Sequence, residues 1–318
     1  MRCTQSIVDY ANLSFVPLEV DEERKEELSD YMLFGDADEE GLVEVTERSS
    51  GEEAVIERVE VTNRADARLV LLRGVVLLGG MQDRVVARTT VIPADAEEVE
   101  VPTRCIEHGR WGPGGGAESG DELSAVKKLA DSRVKQSSSR SRAQRRVWRE
   151  VSESNRSVGE SPRTGSYRAS LGKTDEAGEV GAYVENLLPS LCDREESAGV
   201  VVGLDGEPIA LEALATPGLF DGILAQLVES YALEAVARSR EGADGRSGDM
   251  SVQQARAFRR RVERAQRVES RSAGLGENVR RRIDDIDGWT TVVDERRVSE
   301  FFRRLPADEP RTEREAGR

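Results

Sequence analysis

From residue 55 to 61 the chain reads V-I-E-R-V-E-V, apolar and charged side chains in near alternation, a period-two pattern that lays one face of an extended strand on a core. Asn63 and Asp66 then mark a turn. Short apolar runs at 69–72 and 75–78 flank Gly74, and the β-branched run 85–92 ends at Pro93, which adds three strands. Residues 99–101, Pro102 and 103–106 predict an edge strand, because an edge tolerates proline. Residues 12–106 therefore read as a β-rich sheet, either a sandwich or a barrel.

The second half reads differently. Val180, Tyr183, Val184, Leu187 and Leu188 recur at helical spacing. The runs 199–204 and 209–211 flank Asp205-Gly206, a hairpin signal. Thr216-Pro217 predicts a helix start, with a stripe of Phe220, Leu224, Leu227, Val228 and Tyr231 and an end near Arg238. Ser251 and Gln254 predict a capping box for a second helix, whose stripe is Val252, Ala255, Phe258 and Val262. The fold class expected is α+β, a β-rich N-terminal sheet with an α/β C-terminal half. The organisation expected is a β-rich part over 1–111, a basic and partly disordered connector over 112–178, a hairpin plus helix over 179–238 packed on the first part, a linker over 239–250, and a C-terminal helical region over 251–318 with a disordered tail.

Charge is segregated along this pattern. Residues 1–60 hold eighteen Asp and Glu against five Arg and Lys, whereas residues 127–173 hold thirteen basic against four acidic residues. The basic stretch reads either as a solvated loop offset by the acidic N-terminal region or as a contact surface for phosphate or an acidic partner chain. Single-strand nucleic acid is disfavoured, since the stretch carries only Trp148 and Tyr167 for stacking. The net charge of -15 also opposes bulk attraction to nucleic acid or anionic membranes. Only five lysines stand beside this acidic excess, which predicts a salt-adapted, halophilic source. The first ten residues lack an apolar core, and no later run approaches the ~20 apolar residues of a membrane span, so a cytoplasmic protein is expected. Cys3, Cys105 and Cys192 are widely spaced and odd in number, which supports neither a disulfide framework nor a zinc site.

Two strand-end motifs carry candidate chemistry: Gly79-Gly80-Met81-Gln82-Asp83-Arg84, and Arg104-Cys105-Ile106-Glu107-His108-Gly109-Arg110-Trp111. Glycines such as Gly80 let a backbone approach a ligand, and Arg84 and Arg110 suit bidentate recognition of phosphate or carboxylate. Gln82 and Asp83 suit a ribose or amide, Trp111 a stacking contact, and Glu107 with Asp83 acid/base catalysis. A tight turn with Asp83 and Arg84 paired to their neighbours is the plainer reading. In a strand, Cys105 and Glu107 face one way and His108 the other, which disfavours a histidine-activated thiol.

These pieces, from Asn12-Leu13 to Pro17 through residues 69–78, 80–93, Cys105-x-Glu107-x-Gly109-Arg110-Trp111 and Val147-Trp148 to 199–231, resemble the ADP-ribosylglycohydrolase- and rhodanese/phosphatase-associated protein domain. Met81 stands where such proteins usually carry a lysine, and Ser299 where a histidine is expected. The resemblance implies, by association, a ligand-binding or accessory module that handles ADP-ribose or NAD-related molecules. Its catalytic candidates are Glu107 and Asp83, and its ligand-binding candidates Gly80, Gln82, Arg84, Arg110 and Trp111. A hydrolase acting on an ADP-ribose-related phosphoester or glycosidic bond, and an interaction module using 127–173, are the alternatives. Cofactor and oligomeric state are left unassigned.

Overall fold

The computed structural model describes residues 1–20, 30–50, 53–109, 123–139, 144–175, 178–194, 196–240 and 249–306. The chain opens with strands β1 (Arg2–Cys3), β2 (Val8–Tyr10), β3 (Leu13–Glu19) and β4 (Tyr31–Leu33), then helix α1 (Phe34–Glu39). Seven strands follow: β5 (Val43–Ser50), β6 (Glu53–Asn63), β7 (Arg68–Leu71), β8 (Val75–Gly79), β9 (Arg84–Val86), β10 (Thr90–Ile92) and β11 (Val99–Cys105). Strand β12 (Leu123–Leu129) leads into helices α2 (Ser132–Ser138), α3 (Gln144–Ser157), α4 (Arg168–Asp175) and α5 (Glu179–Cys192). After β13 (Ser197–Leu204) and β14 (Glu207–Leu214) come α6 (Pro217–Arg240) and α7 (Val252–Arg264). The meander β15 (Gln266–Ala273), β16 (Gly276–Ile283), β17 (Ile286–Val293) and β18 (Arg296–Arg304) closes the series. No helix among the described residues is long and apolar enough to cross a membrane.

The α+β class is what the structure shows, and the β-rich N-terminal part is a nearly closed barrel rather than a sandwich. Its six strands run in the order β12-β8-β9-β11-β6-β5, and the two edge strands, β12 and β5, touch. The period-two reading holds where Val59 and Val61 enter a core with Val45, Leu77, Val86 and Val101, plugged by Phe34 of α1. A three-stranded sheet, β10-β7-β4, packs beside it. Two expectations fail. The run 85–92 is two strands in different sheets, and β11 is not an edge, since it pairs with β6 up to Pro102 and with β9 from Thr103. Pro102 sits where the partner changes, a position at which the missing N–H interrupts no continuous ladder.

The second sheet joins distant parts of the chain in the order β1-β3-β13-β14-β18-β17-β16-β15, with β2 on β3. Strand β13 is buried along its whole length because both faces are covered. Val200 and Val202 meet Leu224, Leu227 and Tyr231 of α6, while Val201 meets Phe258 and Val262 of α7. The local signals were reliable: Asp205 and Gly206 take φ of 51° and 77°, Thr216 Oγ1 accepts from the Leu219 N–H at 3.2 Å, and the Ser251/Gln254 capping box is complete.

Two further corrections concern charged stretches. Within the expected connector, α2, α3 and α4 are ordered helices, and Val134, Val147, Val151, Tyr167 and Leu171 share a core with Val76, Val85 and Ile106. The C-terminal region holds one helix and then four strands. Its period-two pattern is carried by charge, as in the cross-strand pair Glu269 and Arg280, and its last turn uses Asp294 and Glu295 at positive φ without glycine. Neither feature has an apolar signature. The tail 307–318, the stretch 110–122 and most of the linker 239–250 lie outside the described residues.

The three-stranded sheet meets the largest sheet at Gly274, which bridges to Val91 at φ +59°; a Cβ there would lie 2.0 Å from the Val91 carbonyl oxygen. Gly274→Ala is expected to lower stability by about 2 kcal/mol, measured by urea unfolding, because it adds a left-handed penalty to the loss of this junction.

Candidate functional site

The sequence motifs converge, but into a closed cluster. Gly79 and Gly80 turn the chain between β8 and β9 with φ of 114° and 52°, and a Cβ on Gly80 would lie 2.7 Å from the Glu47 carboxyl carbon. The Glu47 carboxylate accepts from the Met81 N–H at 3.0 Å and pairs with Arg84. Asp83 accepts from the Gly79 N–H (3.0 Å), from Ser166 (3.3 Å) and from Arg168 through Nε and Nη2 (2.6 and 2.7 Å). Gln82, Asp83, Arg84 and Glu107 are all at most 4% exposed. This geometry locks the β8–β9 turn to the segment leading into α4. Arg110 and Trp111 lie outside the described residues.

Cys105 is buried, and burial pushes its thiol up to about 12, so it carries no thiolate at neutral pH. His108 is exposed and sits edge-on to Trp148 at 4.3 Å between ring centroids. Ser299 bonds to Thr291 (3.0 Å) and Thr89 (3.3 Å) at the seam between the sheets.

A second polar assembly went unnoticed in the sequence. Pairing registers align Glu212, Phe301, Trp289, Arg280 and Glu269 in one row across β14, β18, β17, β16 and β15. Residues of one such row project to the same side of a sheet. Helix α2 lies against this face: Lys135, 1% exposed, pairs with Glu212, which also accepts from the Tyr231 hydroxyl at 2.9 Å. Gln136 donates from Nε2 to Asp287 at 2.9 Å, and Asp287 holds Arg280 through two bonds of 2.9 Å. Arg73 stacks over Trp289, its guanidinium carbon 4.9 Å from the ring centroid. Burial first, then repulsion from Arg88, lowers Arg73 to about 9. Gly74 is required beside it, since a Cβ would lie 2.4 Å from the Lys135 side chain.

On the other flank of α2, Ser132 donates to Glu234 at 2.5 Å, and Arg303 donates to Ser132 and Glu234, each at 2.7 Å. Burial raises the Glu234 carboxyl, but Arg303, Arg133 and these hydrogen bonds outweigh it and bring the group down to about 2. Glu234 and Arg303 of this triad line a cavity of about 600 Å³ between α2, α3, α6 and the end of β18. Six guanidinium groups line it, those of Arg133, Arg146, Arg149, Arg238, Arg303 and Arg304, against the carboxylates of Glu150, Glu153 and Glu234. Leu204, Ile209, Leu305 and Pro306 supply an apolar wall. Oε1 of Gln136 and Nε of Arg133 and Arg304 are buried there without a hydrogen-bond partner. Burial, then Glu153, raises the Glu150 carboxyl.

Of the catalytic and ligand-binding candidates named from sequence, none of those among the described residues lines this cavity. Arg133, Arg146 and Arg149 lie in the basic stretch whose charge was visible, whereas Arg303 and Arg304 come from a strand over 150 residues away and gave no local signal.

The family model described as ARG and Rhodanese-Phosphatase-superfamily-associated Protein domain matches residues 4–302, spanning all three sheets and the seven helices of the described residues. The chain belongs to this family. In this member of the domain family the expected lysine and histidine positions are Met81, at the Glu47 turn, and Ser299, at the sheet seam. No curated protein and no solved structure matches the chain.

Two outcomes follow for this family member. Thiol labelling of the native protein at pH 8 is expected to modify Cys192, which is exposed, and to spare Cys3 and Cys105 until unfolding, read by intact mass. Glu234 has a folded pKa below its unfolded value of 4.5, so its contribution, about 3 kcal/mol, is complete above pH 4.5 and lost as pH falls toward 2. Glu234→Gln is expected to be less stable at pH 7 and to show a flatter loss of stability between pH 4.5 and 2, followed by circular dichroism.

Proposed function

We propose that this protein is a binding module for an anionic, phosphate-bearing small molecule of the ADP-ribose or NAD-derived kind, held in the arginine-lined cavity beside α2. The observation that carries the reading is the local inversion of charge: six guanidinium groups face three carboxylates in one cavity of a chain whose net charge is -15. A concave site of this volume suits a ligand of nucleotide size. Arginine forks match phosphate oxygens bidentately, and the low-dielectric setting strengthens each such bond.

The association with ADP-ribose chemistry comes from the family and not from the cavity, which by itself selects phosphate. The positive groups that made residues 127–173 a candidate docking segment are in part the wall of this cavity, so the ligand-binding reading is preferred to a protein-docking one. Recognition here is electrostatic, so affinity falls with ionic strength.

Calorimetry with ADP-ribose and NAD tests the reading. Wild type is expected to bind at least one of them, and the Arg149→Ala, Arg304→Ala double variant to bind about tenfold or more weakly. Arg84→Ala, outside the cavity, is expected to act on stability and leave the affinity of the folded fraction unchanged. Absence of binding by folded wild type across a range of salt sinks the reading.

A further inference from the structure

The cavity does not end at Glu153. A second hollow of about 530 Å³ adjoins it, and Arg133, Glu153 and Ala237 stand in the walls of both. Its far end carries Arg156 and Arg240. Helix α3 runs along both hollows and serves as a ruler. Arg146 and Arg149 mark one end, Glu150 and Glu153 the middle and Arg156 the other end, a span of about 15 Å at the rise of an α-helix.

Along α3 the order of charges is therefore cationic, carboxylate, cationic, with Arg133 of α2 also at the junction of the two hollows. A carboxylate repels phosphate but accepts hydrogen bonds from sugar hydroxyls, the role acidic residues take toward ribose in dinucleotide sites. Among the described residues no aromatic ring lines either hollow, and the groups that do line them recognise the charged and hydroxylated parts of a ligand. Both distal arginines retain donors. Arg156 donates from Nε to the Ser152 carbonyl at 3.2 Å, and Arg240 pairs with Glu179 while donating to the Ser157 carbonyl at 3.2 Å. A guanidinium has five N–H groups, so neither is saturated by these bonds.

Resting on the cavity reading above, we infer that the preferred ligand carries phosphoryl groups on both sides of a ribose: a pyrophosphate in the hollow of Arg149 and Arg304, the ribose at Glu150 and Glu153, and a phosphate monoester at Arg156 and Arg240. In chemical terms this is a 2′-phosphorylated dinucleotide of the NADP type, in preference to its unphosphorylated NAD counterpart.

The test is calorimetry on the full chain with NADP and NAD as probes at one ionic strength. NADP is expected to bind about tenfold or more tightly than NAD. The Arg156→Gln, Arg240→Gln double variant is expected to lose that advantage while keeping its NAD affinity, and Arg304→Gln to weaken both ligands. Both distal side chains are exposed and glutamine keeps the helix, so the fold is retained, as a thermal melt of each variant checks. Measurable but equal affinities for NADP and NAD overturn the distal subsite and leave the cavity reading standing. The same holds if the double variant keeps the NADP advantage. If folded wild type binds neither, the cavity reading falls, and this inference with it.

Discussion

Lys135 and Glu212 are buried together where α2 crosses the face of the larger sheet, and much of the molecule is arranged around keeping that pair satisfied. A lone charge in this position would cost several kcal/mol in desolvation, so removal of either partner is far more damaging than the pair is stabilising. Gly74 leaves room for the lysine stem, Tyr231 of α6 gives the carboxylate a second donor, and Phe301 and Tyr231 present ring faces to the ammonium at 5.2 and 5.3 Å. The barrel, the long helix α6 and the second sheet each contribute a group. A buried network of this kind sets register: α2 cannot slide or rotate without breaking Lys135–Glu212, Gln136–Asp287 and Ser132–Glu234 together.

Fixing α2 also fixes the cavity. Ser132 and Gln136 face Arg303 and Asp287, Arg133 turns to the cavity wall, and the chain passes on to α3, which brings Arg146, Arg149, Glu150 and Glu153. The buried network is thus a rigid floor that positions a partly solvated, arginine-rich wall, the division of labour expected of a preorganised site. The cluster of Asp83, Arg84, Glu47 and Arg168 plays a parallel role on the other side of α3 and α4, holding the barrel turn to the helical layer.

The charge segregation along the chain has two structural outcomes. Part of it is simple offset, as where Lys127 meets Asp36 (3.2 Å) and Glu39 (2.7 Å) across the barrel edge, exposed pairs that contribute little to stability. The rest is concentration of like charge around the cavity, where arginines from three helices and one strand meet, six guanidinium groups to three carboxylates in the lining. The second outcome is the informative one, because an excess of guanidinium groups in the lining of a concave site makes the local potential positive in an acidic chain.

Several features were legible in the residues alone because their physics is local. Alternation at 55–61, the Asp205-Gly206 turn, the Thr216-Pro217 start of α6 and the Ser251/Gln254 box each depend on neighbours within a few positions, and the family pattern was readable in the strand-end motifs. What the sequence did not disclose is non-local. Strands β15 to β18 read as polar because their face meets polar and charged groups from α2 and the barrel, Gln136 on Asp287 and Arg73 on Trp289. The partners of Asp83 and Arg84 were not legible because Arg168 and Glu47, which engage them, stand 85 and 37 positions away. Only the tertiary fold decides whether a charged side chain meets a partner or a cavity, because that depends on what distant chain segments bring within a few ångströms of it. Here it engaged Asp83 and Arg84 with Arg168 and Glu47 and placed the arginines of α3 and β18 around a cavity.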